Sequence, residues 1–244
     1  MEQEFIKDKV YYKIFDRTYT GYSGIYSKHK YNGAAKLAEV QENMDNIRLN
    51  RCAEELIILR QVHGADVICA DSIDYTKQYE ADGAVTTKKG VVLSVLTADC
   101  VPVLFASVDG AVIGAAHCGW KGARNNIIHN MQVAMKAKDV IDINAIIGPS
   151  IQQKSYEVDE LFYQDFINDD LDCKNLFIPS KTKGHYMFDL PGYVKKQLVK
   201  EGIRLINHID DDTYSMPEKY PSCRRSYHKG EKFSQNILST IIIR

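Results

Sequence analysis

Three side chains that can bind a metal ion, His63, Cys100 and His117, each lie in a short segment in which an apolar run leads into a polar turn. Those segments are 57–66, 91–100 and 112–120. Rigid scaffolds often place reactive groups in such loops. Two imidazoles and one thiolate would hold zinc with its fourth coordination position open. The pattern therefore favours a metal centre with room for water or substrate.

Each of the three residues also has a simpler explanation when it is taken alone. His63 could be an ordinary turn histidine, and Cys100 a small buried side chain. The metal hypothesis depends on the context that all three share. Asp99, next to Cys100, could orient a ligand histidine, act as a general base, or be an ordinary turn residue. Cys118 should point away from the side of His117 on an extended chain, so we expect it in the core.

Two further segments carry positive charge where an anion could bind. The turn after the third apolar run contains Gly119 and Gly122 together with Lys121 and Arg124. Backbone amides at a helix start and nearby cations could cradle an anion, although a tight turn with solvated cations has the same pattern.

The pair Arg224-Arg225 near the C-terminus is the second such segment. Guanidinium groups bind phosphate and carboxylate through two parallel hydrogen bonds. A solvated pair of arginines explains the same sequence equally well.

Hydrophobic periodicity predicts the elements that would position these groups. The predicted strands are 10–15, 21–27, 57–62, 66–70, 83–87, 91–97, 101–106, 111–116, 143–148, 185–190, 203–209 and 237–243. The predicted helices are 34–49, preceded by a turn at 32–33, then 122–138, 158–168 and 191–200. Asp109-Gly110 between two apolar runs predicts a hairpin. The whole pattern indicates a mixed α/β (α+β) fold, and the lack of a linker indicates one domain over 1–244.

Composition limits the function classes. The chain has 244 residues, and 45% of them are hydrophobic, which is enough for a sizeable core. Lys and Arg number 31 against 32 for Asp and Glu, so we expect no nucleic-acid partner. There is no apolar run long enough for a membrane helix and no signal-peptide pattern, so we expect a cytoplasmic protein with no membrane contact. The six cysteines should be free thiols.

Several stretches together resemble the YfiH-like polyphenol oxidase or laccase-domain family, which is now regarded as a family of purine nucleoside phosphorylases. The matching stretches are 61–67, 82–86, 96–104, 113–122 and 147–151, with weaker matches at 188–190 and 224–225. The resemblance implies one compact domain with a four-layer α/β/β/α arrangement of mixed sheets, distantly like the catalytic domain of cytotoxic necrotizing factor.

The resemblance also implies a metal site and an activity. The metal ligands of the family fall on His63, Cys100 and His117, with zinc as the usual ion. The implied reactions are phosphorolysis of adenosine, inosine and methylthioadenosine, and deamination of adenosine. These reactions require a purine nucleoside and phosphate as partners. We expect Asp99 to be the proton shuttle, and Cys100, His63 and His117 to form the catalytic centre with it.

Four cations are available to hold phosphate, and they are Arg17, Lys121, Arg224 and Arg225. The chain departs from the family pattern at 16–23, at Asp212-Thr213, where the family often has Cys-Thr, and at Cys223, which takes the place of a tyrosine. These departures affect the expected pocket more than the expected metal site.

Three other functions fit the same residues. A single copper ion in the three-ligand site could support weak phenol oxidation, but seven histidines are too few for true multicopper chemistry. Cys100 could instead be a thiolate nucleophile with His117 or His63 as its base, as in a thiol hydrolase. A binding protein with a structural zinc is the third, although such sites usually have four protein ligands.

Overall fold

Two large mixed β-sheets form the centre of this computed structural model, which describes residues 2–26, 34–232 and 235–244. The strands of these residues are, in chain order, β1 (Gln3–Ile6), β2 (Val10–Phe15), β3 (Glu55–Ile57), β4 (Val67–Cys69), β5 (Gly83–Thr86), β6 (Val91–Thr97), β7 (Val101–Ser107), β8 (Ile113–Cys118), β9 (Ile143–Ile147), β10 (Glu157–Asp159), β11 (Phe177–Pro179), β12 (His185–Phe188), β13 (Arg204–His208) and β14 (Ile237–Ile243). The α-helices are α1 (Ala34–Asn50), α2 (Trp120–Arg124), α3 (Ile127–Lys136), α4 (Glu160–Asp169), α5 (Leu190–Lys200) and α6 (Cys223–His228).

The first sheet has five strands in the order β1-β2-β14-β6-β3, antiparallel except for the parallel pair β3 and β6. The second has six strands in the order β13-β9-β7-β8-β5-β4, with parallel pairs at both edges. A small antiparallel sheet contains β10, β12 and β11. Consecutive strands often belong to different sheets, so the chain crosses repeatedly between the two large ones.

Alternate side chains of the central strand β7 show how the layers pack. Leu104 and Ala106 belong to the apolar core shared with the five-stranded sheet, while Val103 and Phe105 belong to the core formed with α3 and α5. On the other side, Ile47 of α1 joins a third apolar cluster with strands of the five-stranded sheet. This order of helix, sheet, sheet and helices confirms the predicted four-layer α/β/β/α arrangement.

Three strands have the bounds predicted for them, and the half-buried strand β2 is one of these. All residues of β6 and β14 are buried, and both strands have the bounds predicted from their continuous apolar runs. The predicted Asp109-Gly110 hairpin joins β7 to β8. All six cysteines are free thiols, as predicted. Among the described residues, no helix is long and apolar enough to cross a membrane.

Three element predictions were wrong. The predicted helix 122–138 is two helices, α2 and α3, because Asn126 between them adopts a left-handed conformation (φ 68°), which asparagine tolerates. Residues 21–26 of the predicted strand 21–27 form no strand, and residue 27 lies outside the described residues, as does the predicted turn at 32–33. The predicted strand 57–62 ends at Ile57. Four short elements, β1, β10, β11 and α6, were not predicted.

Candidate metal centre and adjoining cavity

Two of the three metal-capable residues lie where the chain crosses from one large sheet to the other. His63 lies in the connection 58–66, between β3 of the five-stranded sheet and β4 of the six-stranded sheet. Cys100 lies in the connection 98–100, between β6 and β7. Both connections leave the same end of the parallel pair β3 and β6, which brings the two residues to one edge of the sandwich.

The side chain of Gln61 explains why β3 ends at Ile57 and does not continue through the predicted range 57–62. The amide nitrogen of Gln61 donates to the backbone oxygen of Leu96 (2.7 Å), and the backbone nitrogen of Leu96 donates to the amide oxygen of Gln61 (2.8 Å). This side chain occupies the hydrogen-bonding groups that a longer β3 would have used. The chain can therefore leave the sheet and carry His63 toward Cys100.

His117 completes the group from the six-stranded sheet. It lies in β8, opposite Pro102 and next to the start of β7, so strand pairing holds it beside Cys100. One possible ligand atom from each of His63, Cys100 and His117 lies within 4.8 Å of the others. His117 is buried, Cys100 is partly buried, and His63 is exposed. The structure thus brings the predicted three residues together.

Asp82, the residue before β5, is buried and bonds two of the three segments that carry the metal-capable residues. Its carboxylate accepts hydrogen bonds from the backbone nitrogens of Val62 (3.0 Å), His63 (3.0 Å) and Gly64 (2.8 Å). It also lies 2.7 Å from Nδ1 of His117. A carboxylate anion only accepts hydrogen bonds, so Nδ1 carries the proton and Nε2 remains for a metal or for Cys100. Asp82, rather than the predicted Asp99, orients a histidine of the group.

Backbone conformation at the site is unusual at two residues. His63 (φ 61°) and Asp99 (φ 91°) have positive φ angles, which non-glycine residues seldom adopt. Asp82 collects three consecutive amides around His63 and so fixes the first of these conformations. Such conformations are often found at functional sites, where surrounding contacts hold them.

Two glycines allow the segments to approach each other. A Cβ atom on Gly119 would lie 3.1 Å from the His63 ring and 3.2 Å from the Cys100 sulfur. A Cβ atom on Gly122 would lie 2.5 Å from the backbone oxygen of Gly64, closer than real contacts allow. The turn after β8 therefore packs directly against the group and against the loop that carries His63.

Electrostatics favour a charged pair within the group. Burial raises the pKa of Cys100, but the charges and hydrogen bonds of His117 and His63 outweigh burial and lower that pKa to about 6. Burial opposes the charge on His117, yet Cys100 and Asp82 raise its pKa to about 9. Burial likewise disfavours the Asp82 carboxylate, but His117 and the loop amides keep its pKa below the usual value. Without a metal, the group therefore favours a thiolate beside an imidazolium.

His63 and Cys100 lie on the wall of a cavity of about 650 Å³, large enough for a nucleoside-sized molecule. Its lining includes the aromatic rings of Trp120, Tyr156 and Phe162. Trp120 packs against Phe162 with the ring centroids 5.0 Å apart. The cavity therefore joins a polar, metal-capable end to an aromatic wall.

Arg224 is the predicted cation that lines this cavity. Its guanidinium lies 4.9 Å from the centroid of the Tyr156 ring, and its Nη1 donates to the backbone oxygen of Glu157 (2.7 Å). Among the described residues, no carboxylate forms an ion pair with Arg224. The guanidinium is thus held in place without being neutralised.

The other predicted cations lie elsewhere. Arg17 and Arg225 line a separate cavity of about 210 Å³, and Arg225 donates to the backbone oxygens of Thr213 (2.7 Å) and Tyr214 (2.8 Å). Lys121 is exposed, with its nitrogen 5.4 Å from the Trp120 ring. Arg124 forms ion pairs with two aspartates of α4, at 165 and 169. The four cations predicted to hold phosphate do not form one cluster.

Asp99 holds the C-terminal wall of the cavity. Its carboxylate accepts hydrogen bonds from the hydroxyls of Thr213 (2.7 Å) and Ser222 (2.9 Å) and from the backbone nitrogen of Arg224 (2.7 Å). It therefore fixes the start of α6, and with it the position of Arg224. Cys118 is buried in the apolar core, as predicted.

Sequence reasoning missed Asp82 and the aromatic wall. Asp82 belongs to the stretch 82–86 of the family resemblance but was not predicted as a site residue, although a carboxylate directly before a strongly apolar strand is a signal. Phe162 lies within the predicted helix 158–168, and Tyr156 lies just before it, but neither ring was predicted to face a cavity. Their role depends on the neighbouring small sheet, which was not predicted.

Comparison with known proteins identifies the family. A family model described as multi-copper polyphenol oxidoreductase laccase matches residues 18–239. The chain belongs to this family. It is 47% identical over 239 residues to a purine nucleoside phosphorylase of Rickettsia conorii, covering 98% of both chains. It is also 30% identical to the purine nucleoside phosphorylase YfiH of Escherichia coli K12, covering 81% of this chain and 83% of that one.

Solved structures share the fold of this chain. A crystal structure of a Neisseria meningitidis protein matches with a TM-score of 0.84 and 22% identity, covering 100% of this chain and 98% of the other. YfiH of Bacillus licheniformis matches with a TM-score of 0.81 and 21% identity, covering 96% and 93%. At these identities the likeness shows the fold.

The donor set fits a metal ion. Imidazole suits both zinc and copper, and thiolate suits zinc and cuprous ion. The proton on Nδ1 of His117 leaves Nε2 free, and the low pKa of Cys100 supplies a thiolate near neutral pH. Among the described residues, the group has three His, Cys, Asp or Glu members, fewer than a closed structural zinc site uses.

Proposed function

We propose that this chain is a zinc-dependent purine nucleoside enzyme that cleaves adenosine, inosine and methylthioadenosine with phosphate and also deaminates adenosine. The observation that carries this proposal is the three-ligand group beside the cavity, with His63 and Cys100 on a wall that also holds aromatic rings and Arg224. The relatives named purine nucleoside phosphorylases support it.

The cavity wall supplies the contacts that a nucleoside needs. Purine rings stack favourably on aromatic side chains, and Trp120, Tyr156 and Phe162 offer such surfaces. Burial raises the pKa of Tyr156, so its hydroxyl stays protonated and can donate a hydrogen bond at neutral pH. We place the purine against this wall, with the ribose toward the metal-capable end for phosphorolysis and the C6 edge of adenine toward that end for deamination.

In phosphorolysis, a phosphate oxygen bonds to C1′ of the ribose while the bond from C1′ to the purine nitrogen breaks. The electron pair leaves with the purine, which takes up the proton that the attacking phosphate gives up. Arg224 is placed to hold phosphate, because a guanidinium binds two phosphate oxygens in parallel and this one has no carboxylate partner among the described residues. Zinc, when bound, supplies a Lewis acid and a water of lowered pKa.

In deamination, water adds at C6 of adenine and ammonia leaves. The sequence suggested Asp99 as the proton shuttle for this step. Both of its oxygens accept hydrogen bonds from the C-terminal wall, so we assign Asp99 the placement of Arg224 instead.

The test combines products with metal content. Purified protein is incubated with each nucleoside, with and without phosphate. We expect free base and ribose 1-phosphate only with phosphate, and inosine from adenosine without it. Stoichiometric zinc should accompany these activities, whereas stoichiometric copper with phenol oxidation would favour the copper enzyme instead.

Cys100→Ala provides the largest expected effect. The variant should lose bound metal and at least 100-fold of turnover, because the thiolate is one of three ligands. Cys69→Ala is the matched control, since Cys69 is also partly buried but lies on β4 outside the group. Full turnover in Cys100→Ala would contradict the proposal.

A thiol hydrolase is the second candidate, and one observation favours it. Cys100, His117 and Asp82 form a series of nucleophile, base and orienting carboxylate, with a lowered pKa at the thiol. Iodoacetamide labelling separates the candidates. A metal-bound thiolate should be protected until a chelator is added, whereas a free nucleophile should react at once and retain hydrolytic activity in the chelator.

A further inference from the structure

We infer that Asp82 is a positioning residue that holds both histidines of the metal-capable group at once. One carboxylate oxygen contacts both His63 and His117, and the other contacts the loop around His63. The inference rests on the metal site of the proposed function. It requires no particular substrate.

The two oxygens of Asp82 divide their contacts. Oδ1 lies 2.7 Å from Nδ1 of His117 and accepts from the backbone nitrogen of His63 (3.0 Å). Oδ2 accepts from the backbone nitrogens of Val62 (3.0 Å) and Gly64 (2.8 Å). One oxygen therefore joins the two histidine-bearing segments, while the other closes the loop around His63.

The carboxylate itself has little freedom to move. Asp82 is 1% exposed, and its backbone oxygen accepts from the backbone nitrogen of His117 (2.8 Å). The next residue, Gly83, pairs with Ala116 across β5 and β8. The position of Asp82 relative to His117 is therefore fixed by strand pairing as well as by the side chain.

β3 ends at Ile57, so side chains anchor the loop that carries His63: Gln61 bonds the backbone of Leu96, and Asn130 donates to the backbone oxygen of Ala65 (2.8 Å). Residues 62–64 lie between these two anchors. On its far side, the backbone oxygen of Gly64 lies against Gly122 of α2. The loop is thus held between Asp82 and α2. Removing the carboxylate would free the loop and the His117 ring together, so the effect on metal binding should exceed the loss of one hydrogen bond.

Asp82→Asn and Asp82→Ala separate the two sets of contacts. An asparagine can keep its oxygen toward His117 and the His63 nitrogen, but its NH₂ group then faces the nitrogens of Val62 and Gly64, where a donor repels a donor. Alanine removes all four contacts. Loss of such outer partners typically lowers metal affinity about 10- to 100-fold.

Asp71→Asn is the matched control. Asp71 accepts hydrogen bonds from Thr86 and Thr87 at the opposite end of β5 and pairs with Lys138, so this variant also loses a carboxylate with several partners. It lies outside the metal-capable group and outside the cavity.

The experiment measures zinc affinity by competition with a chelator, and cobalt absorption spectra of the substituted proteins. We expect about a 10-fold loss of affinity in Asp82→Asn, about a 100-fold loss in Asp82→Ala, weaker cobalt bands in both, and wild-type values in Asp71→Asn. Wild-type zinc affinity and cobalt spectra in both Asp82 variants would overturn the inference.

A measurement on the wild-type protein tests the inference even if the Asp82 variants do not fold. In zinc-loaded wild type, ¹⁵N NMR should show His117 with a protonated Nδ1 and a metal-bound Nε2; metal at Nδ1 would overturn the inference. These readouts are independent of turnover. A protein whose zinc affinity depends on Asp82 but which cleaves no nucleoside would contradict the proposed function alone.

Discussion

Two buried aspartates, Asp82 and Asp99, each hold a different part of the functional site. Asp82 holds the histidines of the metal-capable group, and Asp99 holds the segment that carries Arg224. Both accept several hydrogen bonds, but Asp82 bonds mainly backbone amides and an imidazole, whereas Asp99 bonds two hydroxyls and one amide. The comparison indicates that the metal side and the substrate side of the site are supported separately.

This separation follows from where the partners lie in the chain. Asp82 reaches segments that the two large sheets bring together, around residues 62–64 and 117. Asp99 reaches residues more than 100 positions away, in the segment 213–224 that packs over the cavity. A substitution on one side should therefore leave the other side largely intact.

Asp99→Asn should give the largest effect that distinguishes the two sides. Asparagine tolerates the positive φ angle, but it cannot accept all three hydrogen bonds. Each buried bond to a charged group contributes about 1.5–3 kcal/mol, so we expect a loss of roughly 2 kcal/mol in the free energy of unfolding. The KM for phosphate should rise while zinc affinity stays at the wild-type value.

Urea denaturation, steady-state kinetics and chelator competition check this prediction. Asp82→Asn serves as the reciprocal variant, with weakened zinc binding. If Asp99→Asn weakens zinc binding as much as Asp82→Asn does, the two sides are not separate.

Arg224→Ala and Arg225→Ala together test which of the two neighbouring arginines binds phosphate. In Arg224→Ala the backbone nitrogen of residue 224 still bonds Asp99, so only the cation is lost, and we expect about a 10-fold rise in the KM for phosphate. Arg225→Ala should instead lower stability with little change in that KM, because its side chain bonds the backbone oxygens of Thr213 and Tyr214. Phosphate titrations at saturating nucleoside, with thermal melts of both variants, measure the difference. Equal KM effects would place phosphate outside the main cavity.

The smallest expected effect concerns pH. Hydrogen bonds from His117 and the loop amides outweigh burial and keep the pKa of Asp82 below its usual 3.8. A lowered folded-state pKa stabilises the fold above the unfolded value, and this contribution disappears as pH falls through the folded value. Metal-free wild type should therefore lose stability below about pH 4 more steeply than metal-free Asp82→Asn. Parallel slopes in acid titrations followed by circular dichroism would contradict this.

Strongly apolar strands and the metal-capable residues could be recognised in the sequence. β6 and β14 are buried on both faces, so their apolar runs defined them without tertiary information. His63, Cys100 and His117 could be recognised as metal-capable because all three lie in segments of the same kind, an apolar run followed by a polar turn. Short elements such as β10 and α6 lack such patterns, because their conformation depends on contacts with distant segments.

Residue types and spacing identified the side chains that can bind a metal, and hydrophobic periodicity indicated a mixed α/β fold. Only the tertiary structure decided which carboxylate serves them, because strand pairing between β5 and β8 places Asp82, rather than the adjacent Asp99, beside His117. It also decided which cation faces the cavity. Arg224 and Arg225 are neighbours in sequence, but successive helical side chains point in different directions, so one lines the cavity and the other binds backbone oxygens.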